Sequence, residues 1–274
     1  MNITITGKTG YIAVNLYEHL TKKGHNVNMV SLRESGVSDL DISQCDAIIH
    51  CAALVHKKEK KYTIDDYMDI NCKLTKELAE KAKSSGVGQF IFLSTMSVYG
   101  IQSGSIDENT EEKPVTFYGK SKLAAERELE KLSSGNFKIA VIRPPMVYGA
   151  DCPGNYARLS GFAKKTFIFP YIRNKRSMIY IENLCEFISL CIDNNSEGIF
   201  LVQNREYVST MDMVGNIKKS GIYYSKFMGK AVSALKFGVF VKLFGDLYYI
   251  QIPYFDGKYQ IVDFKESIER SENI

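Results

Sequence analysis

The chain has 274 residues, 45% of them hydrophobic, and 35 Lys and Arg against 31 Asp and Glu give a net charge of +4. That length fits one α/β domain with a smaller appendage, and so modest a charge does not imply nucleic acid, so none is expected as a partner, while it mildly suits an anionic substrate. The six cysteines (Cys45, Cys51, Cys72, Cys152, Cys185, Cys191) lack metal-ligand spacing, so no metal site is read and they count as small core residues in a reducing cytoplasm.

Residues 2–6 are predicted to form a strand that starts directly after Met1, leaving no room for a signal peptide. It leads into Gly7-Lys8-Thr9-Gly10-Tyr11-Ile12-Ala13 and a helix over 11–22. Strand, glycine turn and helix N-terminus together bind a dinucleotide pyrophosphate on backbone N–H groups. Gly7 allows the tight turn, Gly10 the close approach, and Ala13 close helix packing, with Thr9, Tyr11 and Ile12 completing the loop.

A second strand, 26–31, ends in Ser31-Leu32-Arg33. An acid there would bind a ribose 2′-hydroxyl, whereas Arg accommodates a 2′-phosphate, so Arg33 favours NADP(H), with NAD(H) the alternative. Only about fifteen residues separate this strand from Asp46, too few for a crossover helix and another strand, so the loop 33–42 is abridged. The strand 47–50 ends in Cys51, Ala52 and Ala53, small enough for a cofactor to lie across them. His50 reads as packed near the cofactor rather than metal-bound, and His56 resembles a ligand only superficially.

A helix over 66–85 carries Asn71, and a buried strand over 89–93 ends in Ser94, Thr95 and Ser97. Tyr118 and Lys122 stand four apart on a helix over 117–134, so they share a face, and a lysine there draws the phenol pKa from about 10 towards neutrality. With the strand at 138–142, the alternation argues for a parallel sheet covered by helices on both faces. Beyond Gly149 the periodicity weakens, with helices expected at 158–166, 182–192 and 226–245. The stretch 231–245 is too short to span a membrane and is broken by Lys236 and Lys242; it reads as a helix packing inward rather than as a peripheral membrane contact.

From Met1 to about Glu186 these motifs, with Arg143-Pro-Pro-Met-Val-Tyr-Gly149 and Arg176-Ser-Met-Ile-Tyr-Ile-Glu182, resemble the extended short-chain dehydrogenase/reductase superfamily, in its NAD-dependent epimerase/dehydratase group. A narrower likeness is to bacterial capsule and O-antigen nucleotide-sugar reductases. The resemblance implies a Rossmann-like doubly wound parallel sheet over 1–150, part of 177–205 returning to it, and a small C-terminal α/β substrate-binding region over 151–274. It also implies Tyr118 as acid/base, Lys122 as its partner on the nicotinamide ribose, and Thr95 orienting the reacting oxygen. Asn71 steadies the site backbone, Pro145 borders the cofactor, and Ser97, Asn155 and Arg176 face a UDP-sugar. Met96 and Ser97 replace the acid pair of dehydratases, leaving a 4-keto reductase or a 4-epimerase with the same triad. A non-catalytic sensor of NAD(P) is the reading of another class. Helices after Asp65 and Phe117 would pair into a homodimer.

Overall fold

The computed structural model describes residues 1–55, 62–235 and 238–273; His56 and Lys236 lie outside them. In chain order come β1 (Asn2–Thr6), α1 (Tyr11–Lys22), β2 (Asn26–Val30), α2 (Leu32–Ser35), β3 (Ala47–His50), α3 (Ile64–Met68), a π-helical turn (Asp69–Lys73), α4 (Leu74–Ser84) and β4 (Gln89–Leu93). A 3-10 turn (Met96–Tyr99), β5 (Gly104–Ile106), α5 (Phe117–Leu132), β6 (Lys138–Ile142), β7 (Met146–Tyr148), α6 (Asn155–Lys165), β8 (Ile168–Pro170) and β9 (Met178–Tyr180) follow. The remainder holds α7 (Ile181–Asp193), β10 (Gly198–Phe200), α8 (Thr210–Lys218), β11 (Tyr223–Ser225), α9 (Lys226–Ser233), α10 (Gly238–Phe244), β12 (Leu247–Tyr249) and α11 (Phe264–Glu272).

The chain divides into two compact units. The first (1–100, 111–144 and 185–202) contains a wholly parallel sheet in the order β10-β6-β4-β3-β1-β2. Strands β3 and β4 are fully buried and apolar except for His50 and Gln89, whereas β2, with its exposed Asn26 and Asn28, forms an edge. Phe90, Phe92, Leu78, Ala82, Leu129 and Phe137 fill one core cluster, and burying each phenylalanine contributes about 1.5–3 kcal/mol. The strand order reverses at β1, which lies between β2 and β3. In open α/β sheets ligands bind at the carboxyl ends beside such a reversal, where Gly7 and Cys51 follow their strands.

Two expected helices are interrupted. The 66–85 stretch is α3 and α4 joined by the π turn that contains Asn71. The 226–245 stretch is α9 and α10, the latter opening on Gly238 at φ +58°, a left-handed conformation that no continuing helix contains.

The second unit (101–110, 145–184 and 203–274) has three parallel two-stranded ladders, β11-β8, β12-β5 and β7-β9. Its closing helix, α11, is anchored by Glu272, which accepts from Tyr156 at 2.6 Å and Ser160 at 2.9 Å and pairs with Lys164 at 2.6 Å. Among the described residues no helix is long and apolar enough to cross a membrane.

Candidate active site

The site begins where β1 releases the chain. Gly7 has φ +84°, and a Cβ there would lie 3.0 Å from Ala52 N and Cα, so only glycine lets the loops after β1 and β3 touch. Gly10 N–H donates to Gly7 O at 2.7 Å, and Gly10 is the N-cap of α1. With glycine as cap, α1 has no capping side chain, the arrangement in which backbone N–H groups and the helix dipole meet a phosphate. Thr9 is exposed beside this turn, and Tyr11 and Ile12, both half-buried, open the helix. The glycine turn and the uncapped N-terminus of α1 form a cradle that fits a dinucleotide pyrophosphate.

Beneath the cradle runs a buried polar chain. Thr75 Oγ1 donates to Asn71 O at 2.8 Å, so it accepts from His50 Nε2 at 2.9 Å; His50 Nδ1 then accepts from Thr6 Oγ1 at 2.7 Å. Thr6 in turn accepts from Ala52 N at 3.3 Å. Burial, helped by the charge of Lys122, pushes His50 down to about 3, so the ring is neutral and both nitrogens are engaged. Among the described residues no cluster of His, Cys, Asp or Glu could hold a metal. Half-buried Cys51 has its thiol pushed up to about 12 by burial, which removes it as a nucleophile at neutral pH.

Asn71 joins two walls. Its Oδ1 accepts from Leu54 N at 2.6 Å, while Nδ2 donates to Leu54 O at 3.1 Å and to Ser121 Oγ at 3.0 Å. Ser121 donates to Tyr118 O at 3.0 Å, so the loop that holds Ala52 and Ala53 is tied to α5.

Thr116 caps α5, accepting from Gly119 N at 3.0 Å. Tyr118 and Lys122 follow on one face, as their spacing requires, while Lys120 is exposed. The Tyr118 hydroxyl shares a hydrogen bond with Thr95. Thr95 Oγ1 also accepts from Ser97 N at 3.1 Å and donates to half-buried Ser97 Oγ at 3.3 Å. Ser94 is structural, donating to the buried Glu126 carboxylate. Arg143 grips Glu126 (3.2 Å from Nε to Oε2) and Tyr99 (2.7 Å). Burial opposes the charge of Arg143, but Glu126 and Glu112 outweigh it and raise its pKa.

The expected tuning of the phenol is reversed. Burial pushes Tyr118 up to about 12, with the Thr95 hydrogen bond opposing it, and pushes Lys122 down to about 7 against the pull of Glu126. The Lys122 Nζ sits 3.8 Å over the Phe92 ring. Desolvation disfavours the charged form of both groups and is the largest influence on each.

The structure also brings forward residues that sequence reasoning passed over. Gly119 packs so tightly that a Cβ would lie 2.6 Å from Ser97 O; its position between Tyr118 and Lys122 was the available signal. Thr6 and Thr75 look like ordinary strand and helix residues, and only tertiary contact reveals their link. At the end of β2 Arg33 is exposed, and an acid stands next to it: Glu34 pairs with Lys8 of the glycine turn at 2.6 Å. In the second unit, Pro145 is buried, and exposed Asn155 opens α6 after Gly154 at φ +88°. Half-buried Arg176 donates to Gly245 O at 3.1 Å and pairs with no carboxylate among the described residues; burial lowers its pKa against the attraction of Asp246.

A family model described as the NAD dependent epimerase/dehydratase family matches residues 3–202. A UDP-glucose 4-epimerase of Vibrio cholerae is 31% identical over 78% of this chain and 74% of its own length. A UDP-2-acetamido-2,6-beta-L-arabino-hexul-4-ose reductase of Pseudomonas aeruginosa is 27% identical over 80% of this chain, which spans about half (51%) of that protein. The crystal structure of UDP-N-acetylglucosamine 4-epimerase from Bacillus cereus superposes with a TM-score of 0.80 over 100% of this chain and 98% of the other, at 16% identity, a likeness of fold. The chain belongs to the NAD-dependent epimerase/dehydratase family of enzymes.

Proposed function

We propose that this chain carries out oxidoreduction at C4 of a UDP-sugar, as a 4-keto reductase that consumes NADPH. The observation that carries the reading is the Thr95–Tyr118 hydroxyl pair, with buried Lys122 on the same face of α5. Tyr118 passes its proton to the C4 oxygen, Thr95 orients that oxygen, and Lys122 supports Tyr118 from below. A phenol held protonated at neutral pH is the form reduction needs, because the oxygen gains a proton as C4 gains hydride. Gly7, Thr9, Gly10, Tyr11, Ile12, Cys51, Ala52, Ala53, Asn71, Tyr118, Lys122 and Pro145 would hold the dinucleotide, whose chemistry is hydride donation. Arg33 would meet its 2′-phosphate. Arg176, short of carboxylate partners, suits the substrate diphosphate, and Asn155 and Ser97 the substrate's polar groups. Met96 and Ser97 supply no acid–base pair for dehydration. We place the enzyme in surface-polysaccharide synthesis, in the cytoplasm and as a homodimer.

A second reading, a UDP-hexose 4-epimerase retaining NAD, is favoured by Glu34, whose carboxylate beside Lys8 could hold a ribose 2′-hydroxyl, and by the identity to the Vibrio cholerae enzyme. One assay separates the two: UDP-2-acetamido-4-keto-2,6-dideoxy-hexose with NADPH and NADH in parallel. Stoichiometric NADPH oxidation supports the reductase, with Arg33→Glu weakening NADPH far more than NADH. Interconversion of UDP-GlcNAc and UDP-GalNAc without net oxidation supports the epimerase. Turnover of neither would sink both.

A further inference from the structure

The second unit carries a surface that this chemistry leaves unused. Residues 152–181 and 213–245 contain twelve Lys and Arg and no Asp or Glu, so all 31 acids lie elsewhere and the net +4 conceals a strongly polarised chain.

Within these segments β8, β11 and α9 lie together. Strands β8 and β11 pair with Ile168 opposite Tyr223, and α9 continues directly from β11. Gly229 in α9 lies so close to the Tyr171 carbonyl that no side chain would fit, which presses the helix onto the end of β8. Exposed on these elements and just before β8 are Phe227 (84%), Phe167 (73%), Tyr223 (68%) and Ile168 (47%). Lys165, Lys219, Lys226 and Lys230 are exposed on the same segments, and among the described residues none is paired with a carboxylate. Lys218 sits 3.8 Å over the Phe167 ring.

One exposed apolar side chain is ordinary; three aromatic rings standing in water among unneutralised ammonium groups are not. Aromatic rings settle at the headgroup level of a bilayer, and lysines beside them meet lipid phosphates. A second copy of the chain suits this face poorly, because pairing it with itself would oppose like charges. We propose that the β8–β11–α9 face seats the protein on an anionic phospholipid bilayer. The seat includes residues upstream of 231–245, the only stretch where the sequence alone raised the question, and it does not rest on the reaction assigned above.

The test is flotation of the full chain with vesicles of equal parts phosphatidylglycerol and phosphatidylcholine, and with phosphatidylcholine alone. The expected result is binding to the anionic vesicles only, lost at high salt, with each of Lys226→Glu and Lys230→Glu lowering the partition coefficient at least about fivefold. Phe227→Ser should weaken binding as well, with an unchanged thermal midpoint, since that ring is in water. No binding at low salt, equal binding to both vesicle types, or binding indifferent to all three substitutions would each overturn the proposal. So would self-association of the free protein that Phe227→Ser abolishes.

Discussion

Burial acts in opposite directions on Tyr118 and Lys122, and their chemistry follows from that. The phenol at about 12 stays protonated through the physiological range, while the lysine at about 7 is divided between its two forms. Tyr118→Phe should lower kcat by about 10²–10⁴-fold while leaving cofactor affinity nearly intact, measured by steady-state kinetics beside a fluorescence titration. Lys122 has a folded pKa below its unfolded one, so the unfolded chain binds the additional proton between about pH 7 and 10.5. Its contribution to stability therefore rises with pH across that window, by up to about 1.4 kcal/mol per pH unit. Lys122→Met should remove that slope in urea melts taken at a series of pH values; an unchanged slope would refute the shift.

Between elements, single polar side chains do the joining. Asn71, on the π turn, meets both backbone groups of Leu54 and the Ser121 hydroxyl, three bonds that an apolar replacement cannot remake. Asn71→Leu should destabilise by about 2–4 kcal/mol, since each buried group left without a partner costs about 1–3. Hydrogen exchange at Leu54 N–H should accelerate, and the urea midpoint should fall. In the second unit Glu272 ties α11 to α6. Burial raises its pKa, but Lys164, Tyr156 and Ser160 together lower it below the usual value. Its stabilisation is thus present above the unfolded pKa and disappears as pH falls through the folded one. Glu272→Gln should cost about 1–3 kcal/mol at neutral pH and much less under acid, as chemical denaturation at two pH values would reveal.

Across the whole molecule, the strand order sets where a ligand can be held. The reversal at β1 leaves the ends of β1 and β3 side by side, and Gly7 allows their loops to meet. Dinucleotide present at a hundred times its Kd should stabilise the protein by about 2.7 kcal/mol. Gly7→Val, whose Cβ would strike the Ala52 backbone, should abolish that thermal shift; a retained shift would place the cofactor elsewhere.

The path from glycine turn to Tyr118 and Lys122 was legible because local rules govern it. Apolar runs mark the strands, glycine marks the turn, and a spacing of four puts two side chains on one helix face. The sequence by itself therefore determined the parallel sheet, its helices and which side chains share a face. It did not determine how deeply those side chains are buried. Tertiary structure alone decided that Tyr118 and Lys122 shift away from each other, that Thr6, His50, Thr75 and Asn71 form one polar chain, and that Glu34 returns to Lys8. Desolvation and hydrogen bonding depend on what surrounds a group in three dimensions, and the surroundings here come from residues tens of positions away.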